Sequence, residues 1–345
     1  MSEHPTKKRL GFFTRLLDDT GPGERYRLAE AQIVHAEAHG FDSAWIAQHH
    51  FHADEGGLPS PAVFLAHVAA NTSRIRLGTG VITLPMENPL RVAEDTAVVD
   101  LLSGGRLDVG FGTGGTRESF EAFGISPERR GEVYAEYLGI VRRAWAGEDL
   151  GAGNRLYPKA PHLLDRIWLA TFSANGAKLA GEKGDGLMLS RTQPRPADNH
   201  DARLDALQNP MIDAYLAALP AGRAPRILGS RSLFVADDRK QALKLAEAGL
   251  TRVADRFAAA GHRIPGRSLE DLIKALDSHV GTPDDVIATL KADSALARTT
   301  DLVFQVHSID PPHEYILRSI ELIAAEVAPA LGWTPDTAPT RIAAE

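Results

Sequence analysis

Short apolar runs alternate with longer stretches of helical periodicity along most of the chain. Leu10-Gly11-Phe12-Phe13 reads as a first strand, and Tyr26–His39 as a helix closed by Gly40, a residue suited to a left-handed C-cap. Phe41–Gln48 is a second strand, since buried parallel strands are near-continuous apolar runs. Pro61–Asn71 is helical, with Ser60 as N-cap and Pro61 at the first turn. Strands over Ile75–Leu84, Leu107–Phe111, Ile167–Ala170 and Gly186–Leu189 follow. Between them lie helices over Leu90–Leu102, Val133–Ala146 and Asn175–Lys183.

The pattern then loosens. Gln193–Asn209 is polar and carries Pro194 and Pro196, with Pro210 following, so a long loop is expected there. Ile227–Val235 is the seventh strand, followed by a helix from Arg239 to about Ala260 and a mixed excursion from His262 to Ser278. Thr282-Pro283-Asp284-Asp285 starts a helix, with Thr at the N-cap and acids in the first turn. Asp301–Ile309 is the eighth strand and Glu314–Leu331 the closing helix, with Pro329-Ala330 and the chain after Trp333 read as a frayed end. Eight strands and eight helices in alternation predict a (β/α)8 TIM barrel over residues 1–333. Its insertions fall in the C-terminal half, near 192–209 and 262–278, and 334–345 form a tail. A doubly wound open sheet would carry Gly-x-Gly-x-x-Gly at its first βα junction, and Arg15–Gly23 lacks it.

Composition narrows the partners. The net charge of −7, with both signs interspersed, disfavours nucleic acid and anionic membrane. The absence of Cys excludes disulfides, thiolate metal sites and cysteine nucleophiles. No apolar segment follows the basic first residues, and no stretch approaches a membrane span of about 20 residues. A cytoplasmic protein is expected.

On a barrel, chemistry sits on loops at the carboxyl ends of strands. The second strand ends in His49-His50, with His52 close behind. Imidazole titrates nearest neutrality, so this pair is either a site or a local hydrogen-bonding cluster. A metal is not expected. Histidines at i, i+1 and i+3 beside Asp54 and Glu55 do not converge without a defined turn, and no His-Glu-x-x-His helix is present. Gly78-Thr79-Gly80 in the third strand marks a close approach by a ligand or by neighbouring backbone. Gly110-Phe111-Gly112-Thr113-Gly114-Gly115 is either a cradle for a flat cofactor or a flexible turn. Thr171-Phe172-Ser173-Ala174-Asn175-Gly176 runs into a helix N-terminus, which suits either a phosphate or ordinary capping.

The ordered set resembles the bacterial luciferase superfamily of flavin-dependent monooxygenases. The resemblance rests on His49-His50-Phe51, Gly78 to Pro85, Asn88-Pro89-Leu90-Arg91, Glu94-Asp95, Ser103-Gly104-Gly105-Arg106-Leu107 and Val280-Gly281-Thr282-Pro283. It covers nearly the whole chain in order. It implies a TIM barrel that takes reduced FMN and O2 and oxygenates a small organic substrate. FMNH2 would come from a separate NAD(P)H:flavin reductase, since no NAD(P)H-binding domain is evident.

By the same resemblance, His49 is the catalytic imidazole, a general base or a hydrogen-bonding stabiliser of the C4a-hydroperoxide. Thr79, Gly80 and Val81 would lie beneath the flavin, with a non-prolyl cis peptide at Gly80-Val81. Thr113 and Gly114 would border it, Ser173, Ala174, Asn175 and Gly176 would hold its phosphate, and Ser190 and Arg191 would pack it. Two departures stand out. The family's reactive cysteine and phosphate-binding arginine are replaced by Gly112 and Thr113, leaving Arg117, Arg191 or Arg231 to compensate. The acid before the histidine pair is Gln48, so light emission is not implied. F420-dependent dehydrogenation and non-catalytic flavin binding are the alternatives. A homodimer through the helices after strands two and three is implied, on Ala62-Val63-Phe64-Leu65-Ala66 and Val98-Val99-Asp100-Leu101-Leu102.

Overall fold

The computed structural model describes residues 7–196, 198–259, 266–306 and 311–335. In chain order these form β1 (Arg9–Thr14), α1 (Pro22–Ala38), β2 (Ser43–Ile46), α2 (Pro61–Ala70), β3 (Arg76–Thr79) and β4 (Ile82–Thr83). Next come α3 (Pro89–Leu102), β5 (Leu107–Gly112), α4 (Arg117–Ala122), α5 (Arg130–Ala146), β6 (Ile167–Ala170), α6 (Ala174–Lys183) and β7 (Gly186–Leu189). The second half holds α7 (Leu204–Ala218), β8 (Ile227–Val235), α8 (Arg239–Ala259), α9 (Leu269–Ala275), β9 (Ser278–Gly281), α10 (Pro283–Lys291), α11 (Ser294–Ala297), β10 (Asp301–Gln305), α12 (His313–Leu322) and α13 (Ala328–Ala330).

Every strand pairing is parallel, and β10 pairs with both β8 and β1, which closes the sheet. β3 and β4 are one stave interrupted, so eight staves form the expected (β/α)8 barrel. Its interior is plugged by Trp45 and Trp168, edge to face at 5.6 Å, with Met188, Leu228 and Val303. Glycine makes that plug fit. A Cβ on Gly78 would lie 2.2 Å from the Trp45 indole, and one on Gly186 the same distance from Trp168. The glycine of the third strand therefore serves packing.

Several expectations are corrected. The third strand is broken at the cis Gly80-Val81 peptide, and Leu84–Met86 is a helical turn. The eighth strand ends at Gln305, and the expected continuation over 307–309 lies outside the described residues. The expected loop over Gln193–Asn209 stops at Arg203, where α7 begins and runs straight through Pro210. Proline in a helix interior removes a hydrogen bond and normally breaks the helix. Here Leu204, Met211, Ile212 and Tyr215 bury a full apolar stripe. α6 packs so closely that a Cβ on Gly181 would meet Tyr215 O at 2.4 Å. The excursion after α8 contains α9, capped by Ser268, and β9, which extends the outer end of β8. Ser60 occupies the N-cap of α2 without a side-chain bond. The chain end is not frayed at Pro329-Ala330: α13 spans both, and buried Trp333 donates Nε1–H to Asp42 at 2.8 Å. Residues beyond 335 lie outside the described residues. No described helix is long and apolar enough to cross a membrane.

Candidate active site

At the carboxyl face of the barrel the loops enclose a cavity of about 2350 Å³. Trp45, Val81, Leu169, Met188 and Val303 give it an apolar floor, and polar loop residues form the walls. Ligand pockets usually measure roughly 300–1,000 Å³. This one has room for a cofactor and a second organic molecule together.

The loop after β2 doubles back on itself. His49 N–H donates to Leu58 O at 3.0 Å, and Gly57 N–H donates to Arg15 O at 3.0 Å. That reversal brings Glu55 to His49, with Nδ1 3.8 Å from Oε2. Thr116 Oγ1 donates to the same carboxylate oxygen at 3.1 Å, and the Arg15 guanidinium donates to the Glu55 carbonyl. Burial holds the His49 pKa below its ordinary value, Glu55 opposes that shift, and Arg15 and Arg191 add to it. The adjacent His49 and the Thr116 hydroxyl hold the Glu55 carboxyl at about 2. Burial and two nearby cations favour a neutral imidazole beside an ionised carboxylate. Nδ1 is the ring nitrogen that faces Glu55, and at 3.8 Å the contact is electrostatic.

His50 also lines the cavity, edge-on to Phe123 at 4.9 Å, and its buried Nε2 has no hydrogen-bond partner. Exposed His52 does not line it. Gln48 turns away from both histidines: Nε2 donates to Glu87 at 2.5 Å and to Pro59 O at 3.1 Å, and Oε1 accepts from Thr83 N at 2.7 Å. It ties β2 to β4, and burial raises the pKa of Glu87.

Across the rim, Ser173 caps the ten-residue helix α6, its Oγ accepting from Gly176 N at 3.1 Å. The first amides of a helix have no partner within it, which makes such a turn an anion site. Of the three arginines expected to supply charge, only Arg191 lines the cavity. Burial lowers its pKa to about 10, and its hydrogen bond to Ser232 is long, at 3.4 Å. Arg117 is exposed and paired with Glu121. Arg231 is fully buried, held by Asp293 at 2.6 Å and Gln208 at 2.9 Å.

The cavity thus gathers His49, Gly80, Val81, Thr113, Gly114, Ser173, Asn175, Gly176, Ser190 and Arg191. It does not gather Thr79 or Ala174. Thr79 is buried, and its hydroxyl both donates to Gly110 O and accepts from Gly110 N, stitching β3 to β5. Glu94 and Asp95 pair with Arg91 on the exposed face of α3. Arg106 is a structural hub whose guanidinium donates to the carbonyls of Ala69, Thr72, Ile75 and Ser103. Sequence reasoning missed Arg15, Arg130 and Tyr134, all of which line the cavity. Glu55 was visible only as a neighbour of the histidines.

The luciferase-like monooxygenase family profile matches residues 10–300. The 4-hydroxyprotoasukamycin monooxygenase of Streptomyces nodosus subsp. asukaensis is 29% identical over 317 residues, covering 86% of this chain and 84% of that protein. A monooxygenase structure from Streptomyces bottropensis has a TM-score of 0.78 at 28% identity, covering 93% and 99% of the two chains. The oxygenating constituent of 3,6-diketocamphane monooxygenase from Pseudomonas putida, solved with FMN, shares the fold. Its TM-score is 0.72 at 21% identity, over 94% of this chain and 98% of that one. A profile spanning most of the barrel makes this chain a member of the luciferase-like monooxygenase family.

Proposed function

We propose that this protein is a cytoplasmic FMN-dependent monooxygenase that takes FMNH2 from a separate NAD(P)H:flavin reductase. One atom of O2 would enter a small organic substrate and the other would leave as water, with FMNH2 returned as FMN. The observation that carries this reading is one cavity lined both by His49, which stands 3.8 Å from the Glu55 carboxylate, and by the helix N-terminal turn that Ser173 caps.

The residues suit a flat ring system bearing a phosphate. The apolar floor and the glycine-lined loop Gly112-Thr113-Gly114 accept a planar group. The α6 turn, with Ser173, Asn175 and Gly176, would hold the phosphate, and Arg191 supplies positive charge to the same cavity. Reduced flavin, when bound, supplies the electrons that activate O2. His49 would accept a proton from, or hydrogen-bond to, the reacting centre, with Glu55 facing its Nδ1. His50 Nε2 and Gln193 Oε1 are buried without hydrogen-bond partners, and they offer polar contacts to a substrate. The walls carry nine carboxylates against seven cations. That balance fits a single phosphate better than the more acidic tail of F420, which keeps F420-dependent dehydrogenation as the second reading.

Val63, Val98, Leu101 and Leu102 stand 71%, 43%, 61% and 63% exposed on α2 and α3. Apolar exposure on two neighbouring helices supports a homodimer through that face.

Spectral titration with FMN, FMNH2 and F420 tests the cofactor. Flavin binding with flavin-dependent O2 consumption is expected. F420 binding without FMN affinity would overturn the proposal. His49→Ala should keep FMN binding and lose turnover; full turnover in that variant removes the catalytic role of His49.

A further inference from the structure

A second cluster of ligating side chains lies far from the cavity, between the first and last barrel helices. His35 and His39 stand one turn apart at the end of α1, and Glu321 stands at the end of α12. Their ligand atoms all lie within 4.8 Å of one another, and they form the one such group of three among the described residues. We propose that His35, His39 and Glu321 bind a divalent transition ion of the zinc class, which ties α1 to α12 at the seam where the barrel closes.

The geometry supports this at three points. First, spacing: at metal–ligand distances of about 2.0–2.1 Å, tetrahedral ligand atoms stand roughly 3.4 Å apart. His35 Nε2 and Glu321 Oε1 already stand at 3.2 Å. That contact is not aligned as a hydrogen bond, since the buried Nε2 has no hydrogen-bond partner. Second, the outer contacts are those that ligands use. His39 Nδ1 is bonded to the His35 carbonyl at 2.9 Å, which assigns the proton to Nδ1 and leaves Nε2 free. Metal-bound imidazoles commonly donate their second N–H in this way. Arg318 donates to Glu321 Oε2 at 2.7 Å, which orients the carboxylate and leaves Oε1 toward His35. Third, the two rings lie 4.3 Å apart, which brings both imidazoles to the same carboxylate. Burial lowers the His35 pKa, which favours the neutral, ligating form.

Three protein ligands leave a fourth position for water. The end of α1 that carries both histidines leads into the start of β2, at the amino face of the barrel, where features serve stability. Neither histidine nor Glu321 lines the cavity. An ion held only by the folded chain stabilises it by mass action. Its role here would be structural.

The test uses the untagged full chain stripped with chelator, then titrated with Co²⁺ and Zn²⁺. One equivalent of Co²⁺ should develop visible d–d absorption, and Zn²⁺ should displace it and raise the melting temperature by several degrees. His39→Asn and the double variant His35→Asn/His39→Asn should fold normally by circular dichroism. They should weaken binding at least about 10-fold and abolish the melting shift, while turnover is unchanged. Glu321→Gln should weaken binding without abolishing it. Absence of a one-equivalent Co²⁺ spectrum in the wild-type chain would overturn the proposal. So would a spectrum and melting shift that survive in the double variant, which would move the metal to other histidines.

Discussion

Replacing Ser173 by Asp separates the two roles the α6 turn can play. Ser173 is exposed, and its Oγ accepts the Gly176 amide at 3.1 Å. A hydroxyl has one proton and two acceptor positions, so capping leaves the proton free for an anion. Asp caps a helix about as well as Ser, and its charge suits the N-terminal dipole. Stability should therefore change by less than about 0.5 kcal/mol. Phosphate binding should behave differently. The variant loses a hydrogen bond to a charged group, about 1.5–3 kcal/mol. It also gains repulsion of about 1 kcal/mol per unit charge at 4 Å in a water-like dielectric, roughly doubled for a phosphate dianion. At 1.4 kcal/mol per factor of ten, Ser173→Asp should weaken FMN binding at least about 100-fold. Riboflavin, which lacks the phosphate, should bind both proteins alike. Flavin fluorescence titrations beside urea melts measure both quantities. Equal losses for FMN and riboflavin, or no loss for FMN, would refute the phosphate role and leave Ser173 a simple cap.

His49 is neutral above its pKa. Because burial and the two arginines lower that pKa, the acid limb of kcat/KM should fall below the ordinary imidazole value of about 6.5. Glu55→Gln removes the group that opposes the shift and should move the limb further down; upward movement contradicts the pairing. Gly78→Ala puts a methyl 2.2 Å from the Trp45 indole, so urea melts should show a loss of about 1–3 kcal/mol or more. Unchanged stability would mean that the tryptophan plug yields. Leu101→Arg, on the exposed face of α3, should convert a dimer to a monomer by light scattering with the thermal melt of the barrel preserved; an unaffected dimer assembles elsewhere. Gln48→Glu should destabilise, because a carboxylate cannot donate to Glu87 or Pro59 O, and Glu87→Gln should restore much of the loss. Additive effects in that double-mutant cycle would deny the coupling.

The barrel was legible in the sequence because buried parallel strands and their helices leave two distinct periodicities. Strands β5, β6, β7 and β8 lie within a residue of their expected bounds: β6 and β7 are unbroken apolar runs, and β5 and β8 begin and end on apolar or glycine residues around their buried polar ones. The failures share a cause. α7 was hidden because Pro210 and the polar segment before Leu204 outweigh, locally, an apolar stripe whose partner α6 is supplied only by folding. Pro329-Ala330 resembled a frayed end because the turn there is anchored by Trp333, whose partner Asp42 lies 291 positions away.

The site was legible to the same degree and for the same reason. His49, Ser173 and Gly176 follow strands directly, and strand position fixes which face of the barrel a loop serves. What sequence spacing could not reveal was the local reversal that folds Glu55 back onto His49, or which arginine is already engaged by a carboxylate. Arg231 looked available and is locked to Asp293; Arg191 looked like one of three and is the one that reaches the cavity. Gln48 carries this furthest. As an isolated letter it is a lost acid beside a histidine pair. In the fold its amide must donate to a carboxylate and a carbonyl and accept from a strand amide, three bonds that no acid makes. The acid of that neighbourhood sits at Glu87, which accepts from the Gln48 amide, and the carboxylate beside His49 is Glu55 instead.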